Sequence, residues 1–361
     1  MAKRIVSLVL AAVMLLTGLS AAVMALAQGS LPTGFLALAD WSDQAVKEHL
    51  RRYPSLEQIA PTLLLSVGAK EQDGIFITEN YLLENISPSN PLIEMENTAG
   101  IDQFLTKHNL PAIMMLIPTA CAIKQQELPA NAVLFNQKSM IADTYSDLAG
   151  LVSTVDAYTA LFSAKDQYTY YRTESNLTGL GGYYLYTALA ARLGLSARPL
   201  SEFDIEHLAQ DYYGDLYQRS NYKGIRPDLI TLYRFSRYNR QYLLTCTDNG
   251  ETRQYSTLFP THLAVLEAPI SVLFGGIGQR LDLSVVSPFE ESMLIFGDET
   301  ATAYLPFLAA HYGRITLVDL SRATPDQLAA IELDEYNRVM FAFSVDYYIN
   351  TPLTQALSFI P

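Results

Sequence analysis

The chain has 361 residues, half of them hydrophobic, and a formal net charge of −13 at pH 7. This length is ample for one large α/β domain or two small ones. An acidic surface repels nucleic acid and anionic lipid, and no cluster of Lys and Arg offsets it, so the composition disfavours nucleic-acid binding.

The N-terminus has the pattern of an export signal. Residues 1–4 are basic, residues 5–25 are apolar, and residues 25–27 are the small-residue run Ala-Leu-Ala that a signal peptidase accepts. We therefore expect residues 1–27 to be a signal peptide and the mature chain to be extracellular or at the cell surface. The alternative is an uncleaved membrane anchor, because the uncharged run is as long as the ~20 residues of a bilayer crossing.

Residues 28–95 are predicted to be a loop-rich approach to the core, since they mix apolar pairs with Pro and Asn. One helix is expected there, from Trp41 to Tyr53. Ser42 is a favourable N-cap for this helix, and Pro54 ends it.

Residues 96–197 and 286–361 alternate between strand and helix patterns. The apolar run Ala112–Ile117, with Pro on both sides, is typical of a central parallel strand. Further strands are predicted at Leu151–Val155, Ile315–Leu320 and Val339–Val345, and helices at Ile141–Leu148, Leu180–Leu193 and Gln327–Ile331. Gly194 is expected to end the second of these helices, and Thr324 to Gln327 match a capping box at the start of the third. This alternation predicts an α/β fold, a three-layer doubly wound parallel sheet.

Residues 198–285 differ in character, being rich in Tyr, Thr and Arg with alternating polarity. Asp248-Asn249-Gly250 between two alternating segments is a strong hairpin signal. We predict a β-rich insertion that interrupts the sheet.

Residues 292–312 predict a strand, a tight turn and a helix. The apolar run Met293–Phe296 stops at Gly297-Asp298 and is followed by apolar residues at helical spacing. Because free N–H groups at a helix N-terminus favour negative charge, such a turn is where an α/β enzyme holds its nucleophile. Here the residue after Asp298 is Glu299.

Two segments resemble the DHHW family of extracytoplasmic proteins, which is similar to the alginate O-acetyltransferase branch of the SGNH hydrolases. Tyr170–Tyr186 stands where the family has Tyr-Arg-Thr-Asp-His-His-Trp-Thr and a glycine-containing helix start. Phe296–Leu320 contains Gly-Asp-Glu-Thr-Ala, where the family has Asp-Ser-Tyr-Ala, and keeps Pro-Phe-Leu-Ala-Ala-His-Tyr almost unchanged. The resemblance covers roughly residues 80 to 353 and implies an SGNH-like fold.

The family's chemistry requires a serine nucleophile, a histidine base and an orienting aspartate. The resemblance implies that these positions are Glu299, Asn176 and Glu174. A carboxylate does not form the usual ester intermediate, and an amide has no titratable nitrogen, so the resemblance implies a degenerate site with little or no activity. The side chains expected to contact a ligand around it are Asp298, Tyr171, Arg172 and Leu177, the last at the family's tryptophan position.

Two alternatives would keep the protein active. Catalytic residues could have moved, with Thr300 supplying a hydroxyl and His207 or His262 a base, whereas His311 lies too far along the predicted helix. Otherwise Glu174 and Glu299 could form a carboxylate pair roughly 5 to 9 Å apart, as in glycosidases. The simpler interpretation of Glu299 is an acid that caps a helix N-terminus.

The favoured function is a non-catalytic binding or accessory role at a cell-surface polysaccharide, with an active paralogue as another candidate partner. Exposed tyrosine rings around residues 168–186 would suit stacking on sugars, although core packing explains most of them. The alternative is an active esterase or O-acyltransferase on a cell-envelope glycan.

The scattered histidines and the lack of a CxxC sequence indicate neither a metal site nor a cofactor. Contact with a membrane is expected only through an uncleaved N-terminal segment. Cys121 and Cys246 are either a disulfide pair or two buried thiols.

Overall fold

The computed structural model describes residues 71–235, 240–266, 269–286 and 290–361. The predicted signal peptide 1–27 and the predicted helix Trp41–Tyr53 lie outside the described residues. Within them, the strands are β1 (Glu71–Gln72), β2 (Ile75–Ile77), β3 (Leu82–Glu84), β4 (Ala112–Ile117), β5 (Val152–Thr154), β6 (Phe203–Tyr212), β7 (Asp228–Phe235), β8 (Gln241–Asp248), β9 (Glu251–Tyr255), β10 (Arg280–Val286), β11 (Ser292–Gly297), β12 (Arg314–Val318) and β13 (Arg338–Ser344). The helices are α1 (Leu92–His108), α2 (Ala120–Ile123), α3 (Gln137–Asp147), α4 (Ala157–Ser163), α5 (Gly179–Leu193), α6 (Asp215–Ser220), α7 (Leu263–Leu266), α8 (Ala301–Leu308), α9 (Pro325–Ala329), α10 (Val345–Asn350) and α11 (Thr354–Ser358).

An eight-stranded sheet runs through the centre of the molecule in the order β5-β4-β13-β11-β12-β10-β8-β9. The first five of these strands are parallel, and the last three extend one edge in antiparallel pairing. Every residue of β4 and β11 is buried, as expected of parallel strands that helices cover on both faces.

Two hydrophobic cores lie on the two faces of the sheet. Along β4, Ile113 and Met115 point into the core that α5 and α8 cover, and Met114 and Leu116 point into the core that α1 and α10 cover. The period of two between these residues follows from the alternating direction of side chains in a strand. The predicted three-layer α/β fold is therefore confirmed.

Helices α5 and α8 pack closely near their N-termini, where Gly182 meets Ala303. A Cβ on Gly182 would approach the backbone oxygen of Ala303 to 1.9 Å, so only glycine permits this contact. The hydroxyl of Thr178 caps α5 by accepting a hydrogen bond from the N–H of Gly181 at 3.2 Å. The close packing brings together the two loops that precede these helices.

The region predicted to be loop-rich contains more structure than expected in its described part. Strands β1, β2 and β3 form a small antiparallel sheet, and α1 begins at Leu92. The first turn of α1 contains Leu92, Ile93 and Met95 beside Glu94, and these apolar residues do not continue at helical spacing into the following turns. Buried Asn97 instead uses its amide to bind the backbone of Tyr348, Thr351 and Leu353, each at 2.8 Å.

Residues 198–285 are β-rich, but they are not separate from the sheet. In this region, β6 and β7 form a separate two-stranded ribbon. Strand β10 pairs with β12 of the central sheet, β8 pairs with β10, and β9 follows at the edge. The apolar face of β10, Leu281 and Leu283, is fully buried. The prediction of an insertion that interrupts the sheet is corrected accordingly: part of it completes the sheet edge.

Several local predictions are confirmed. The turn between β8 and β9 has positive φ at Asn249 and Gly250, as a two-residue type I′ hairpin requires. Thr324 and Gln327 form the predicted capping box, and Gly194 ends α5 with φ 71°.

Both cysteines are free and buried. Burial raises the pKa of the Cys121 thiol to about 12 and that of Cys246 to about 11. Among the described residues, no helix is both long enough and apolar enough to cross a bilayer.

Candidate functional site

A cleft of about 320 Å³ opens where the parallel strands end. We call it the strand-end cleft, and this end of the sheet is where open α/β folds bind ligands. Its lining comes from the segments that follow β3, β4, β11, β12 and β13, together with the loop before α5. The lining residues are Glu84, Ile86, Thr119, Ala120, Cys121, Ser175, Asn176, Leu216, Ile277, Asp298, Glu299, Thr300, Asp319, Arg322, Ser344, Asp346, Tyr347, Asn350 and Thr351.

Asn176 and Glu299, which the resemblance places at the family's histidine and serine positions, both line this cleft. The Glu299 side chain is exposed to the cleft, but the surrounding protein partly desolvates its carboxylate and raises its pKa. The charge of Asp298 raises this pKa further, and the neighbouring Asn176 amide lowers it. At these two positions, an amide is not a titratable base and a carboxylate is not a serine-type nucleophile.

Asp298 holds the turn that carries Glu299. Its buried carboxylate accepts hydrogen bonds from the N–H and hydroxyl of Thr300 and from the N–H of Ser344 at 2.7 Å. These bonds tie the end of β11 to the end of β13. The Thr300 hydroxyl donates to the Asp298 carboxylate and is engaged within the turn, and no histidine of the described residues lines the cleft beside it.

Glu174, the acidic position of the family triad, does not line the cleft. Its carboxylate accepts hydrogen bonds from the Tyr212 hydroxyl at 3.0 Å and from the N–H of Asp215 at 3.2 Å. Burial raises the pKa of Glu174, and the neighbouring Asp215 carboxyl raises it further. Glu174 therefore joins its loop to the start of α6, and Glu299 and Glu174 do not face each other across the cleft.

Asp228, at the start of β7, anchors the loop that contains Glu174 and Asn176. It is fully buried and accepts hydrogen bonds from the N–H of Arg172 at 2.6 Å, the N–H of Thr173 at 2.8 Å, the Thr173 hydroxyl and the Tyr168 hydroxyl. One side chain thus holds Tyr168, Arg172 and Thr173 of this loop in place. Sequence analysis did not identify it, because a single Asp before an apolar strand carries no local signal.

The other residues expected to contact a ligand lie elsewhere. Tyr171 and Leu177 are 2% and 3% exposed and belong to the core under α5. The guanidinium of Arg172 lies over the Tyr168 ring, 4.4 Å from its centroid. Of the four, only Asp298 lines the strand-end cleft.

No histidine in the described part of the chain lines the cleft. The ring of His311 contacts the Tyr186 hydroxyl at 2.7 Å, and burial, aided by Arg198 and Arg240, lowers its pKa to about 4. His207 contacts Thr231 on the ribbon of β6 and β7, and His262 packs against Tyr255.

The cleft is acidic. Its lining includes five carboxylates and a single arginine, Arg322, which binds Asp248 at 2.8 Å and the backbone oxygen of Ile277 at 2.7 Å. The carboxylates are Glu84, Asp298, Glu299, Asp319 and Asp346. Among the described residues, no group of three or more His, Cys, Asp or Glu has an arrangement that could hold a metal ion.

The family model described as DHHW protein matches residues 83–318 of the chain. The chain belongs to the DHHW family. No curated protein matches the chain.

Two solved structures share the fold of this DHHW protein. A DHHW family protein from Eubacterium siraeum has a TM-score of 0.65 at 18% identity, covering 80% of this chain and 96% of that one. Bacillus cereus PatB1, determined with a sulfonyl adduct, has a TM-score of 0.63 at 15% identity, covering 80% of this chain and 98% of that one. At such identities the similarity shows the common SGNH-like fold.

Proposed function

We propose that this DHHW protein is an exported, non-catalytic protein that binds a cell-surface glycan. The observation that carries the proposal is that Asn176 and Glu299 line the same cleft. The resemblance places these residues at the family's base and nucleophile positions, where an amide is not a titratable base and a carboxylate is not a serine-type nucleophile. The basic and apolar N-terminal residues support the exported location.

The composition of the strand-end cleft supports a sugar ligand. Its hydroxyl, amide and carboxylate groups are hydrogen-bond partners for sugar hydroxyls. Because five carboxylates outnumber one arginine, a neutral or amino-bearing glycan fits the charge of the cleft better than an acidic polymer does. An active paralogue remains the alternative partner, and it would be detected as protein bound in place of glycan.

Binding and turnover are tested on the same purified protein. We expect it to be retained on immobilised amino-sugar glycans and to give no hydrolysis of an acetyl ester at high protein concentration. Ser175→Trp, which would fill the cleft, should abolish retention, whereas Ser201→Trp at an exposed position outside the cleft should not. Since the PatB1 structure carries a sulfonyl adduct, a sulfonyl fluoride is a suitable probe for a nucleophile.

Mass spectrometry should detect no sulfonyl adduct on this protein. Ester turnover, or an adduct on any cleft residue, would instead establish the alternative, an esterase or O-acyltransferase with relocated catalytic residues.

A further inference from the structure

A second cavity of about 270 Å³ adjoins the strand-end cleft, and we call it the side cavity. It lies between the end of β3, helix α2, the start of α3 and helix α4. Its lining residues are Asn85, Ile86, Cys121, Ala122, Gln125, Leu134, Phe135, Asn136, Gln137, Lys138 and Tyr158. No residue of the family's triad contributes to it.

The two cavities meet along two short segments. Glu84 lines the strand-end cleft, Asn85 lines the side cavity, and Ile86 lines both. In α2, Cys121 lines both cavities and its two neighbours line one each. Because Ile86 and Cys121 are almost completely buried, they project little into either cavity.

Tyr158 gives the side cavity a fixed aromatic ring. Its hydroxyl donates to the backbone oxygen of Ala122 at 3.3 Å, and its ring stacks on Phe162 with centroids 6.0 Å apart and planes 15° apart. The Lys138 ammonium lies 5.5 Å from the ring centroid. A half-buried ring held at both ends loses little freedom when a sugar ring stacks on it.

The charges of the two cavities differ. Among the described residues, Lys138 is the only charged one that lines the side cavity, whereas carboxylates dominate the strand-end cleft. Ligand pockets generally measure about 300 to 1,000 Å³, so each cavity alone lies at or below the lower limit of that range and the pair lies within it. A ligand long enough to occupy both would bury far more surface than one confined to either.

We propose that the side cavity is a second subsite and that both cavities bind one linear amino-sugar oligosaccharide, with one sugar ring stacked on Tyr158. This inference rests on the proposed glycan-binding function. It adds that the ligand is long enough to occupy both cavities and that Tyr158 makes the affinity depend on this length.

The test measures the dependence of affinity on ligand length. Calorimetric titrations would use glucosamine and N-acetylglucosamine oligomers of two and of five sugar units as probes. The intact protein should bind the longer oligomer at least about tenfold more tightly, an increment comparable to one good aromatic contact. Tyr158→Ala should remove that increment and leave the affinity for the shorter oligomer unchanged.

Two further variants distinguish loss of the second subsite from misfolding of the Tyr158→Ala protein. Leu134→Trp should remove the same increment by filling the side cavity, and Tyr255→Ala, a half-buried tyrosine outside both cavities, should retain it. Equal affinities for short and long oligomers, or a full increment in Tyr158→Ala, would overturn the second subsite alone. If neither probe binds at either length, the proposed glycan-binding function falls together with this inference.

Discussion

The two loops that meet at the strand-end cleft are built in opposite ways. In the loop of residues 168–178, Asp228 and Glu174 make hydrogen bonds that fix the backbone, and Ser175 and Asn176 are the residues of this loop that line the cleft. In the turn of residues 298–300, the side chain of Asp298 makes the fixing bonds, and Glu299 is exposed to the cleft. The residues that hold the two loops are thus distinct from the residues that the loops present to the cleft.

This difference implies that stability and chemistry are separable at the site. A change to a side chain that holds the first loop should alter the folding free energy, and a change at residue 299 should alter it hardly at all. Three substitutions test the contrast, beginning with the one of largest expected effect.

Asp228→Ala should lower the free energy of unfolding by about 3 kcal/mol or more, because several buried donors lose their acceptor at once. Urea denaturation measures this change. Asp211→Ala, at an exposed position on β6, is the control and should stay close to the parent protein. If Asp228→Ala is also close to the parent, the loop is not held as described.

Glu174→Gln should alter how stability depends on pH. Because burial and Asp215 raise the pKa of Glu174 above its ordinary value of 4.5, the folded state holds this proton more tightly than the unfolded state does. Stability contributed by the protonated carboxyl is therefore full below about pH 4.5 and is lost as pH rises toward the folded pKa. The variant should gain stability relative to the parent between pH 5 and pH 9.

Chemical denaturation at several pH values measures this effect. Glu251→Gln, at an exposed position on β9, removes the same charge and serves as the control. Parallel pH profiles for the parent and Glu174→Gln would mean that Glu174 is solvated and does not join its loop to α6.

Glu299→Ala should change the free energy of unfolding by no more than about 0.5 kcal/mol, as is usual for exposed positions. Removal of the carboxylate also relieves its repulsion from Asp298. Thermal unfolding in parallel with Asp228→Ala gives the comparison directly. A loss as large as that of Asp228→Ala would make Glu299 a structural residue and remove the contrast between the loops.

Local signals in the sequence predicted much of the fold. The run Ala112–Ile117, the Asn249-Gly250 turn and the Thr324 capping box each need only a few neighbouring residues, and each occurs as expected. The pairing of strands that are distant in sequence was harder to predict. The place of β10 beside β12 depends on which sheet edge is free, and this information is not contained in the alternating pattern of β10 itself.

The site, like the fold, was predicted in part. The resemblance identified the two loops, and the structure brings Glu299 and Asn176 of these loops into one cleft. The resemblance did not indicate in which direction each side chain points. Leu177 is apolar and becomes part of the core, and Glu174 finds partners in residues 212–215. Asp228 lies more than fifty positions from the loop it binds, so no local pattern reveals it.

The most direct test of the account is to restore the family's residues with the triple substitution Glu174→Asp, Asn176→His and Glu299→Ser. If replacement of these side chains is the reason for inactivity, the triple variant should hydrolyse an acetyl ester and acquire a sulfonyl adduct at position 299, while the parent protein does neither. Turnover by the parent that persists in Glu299→Ala would contradict the account, because catalysis would then not depend on this position.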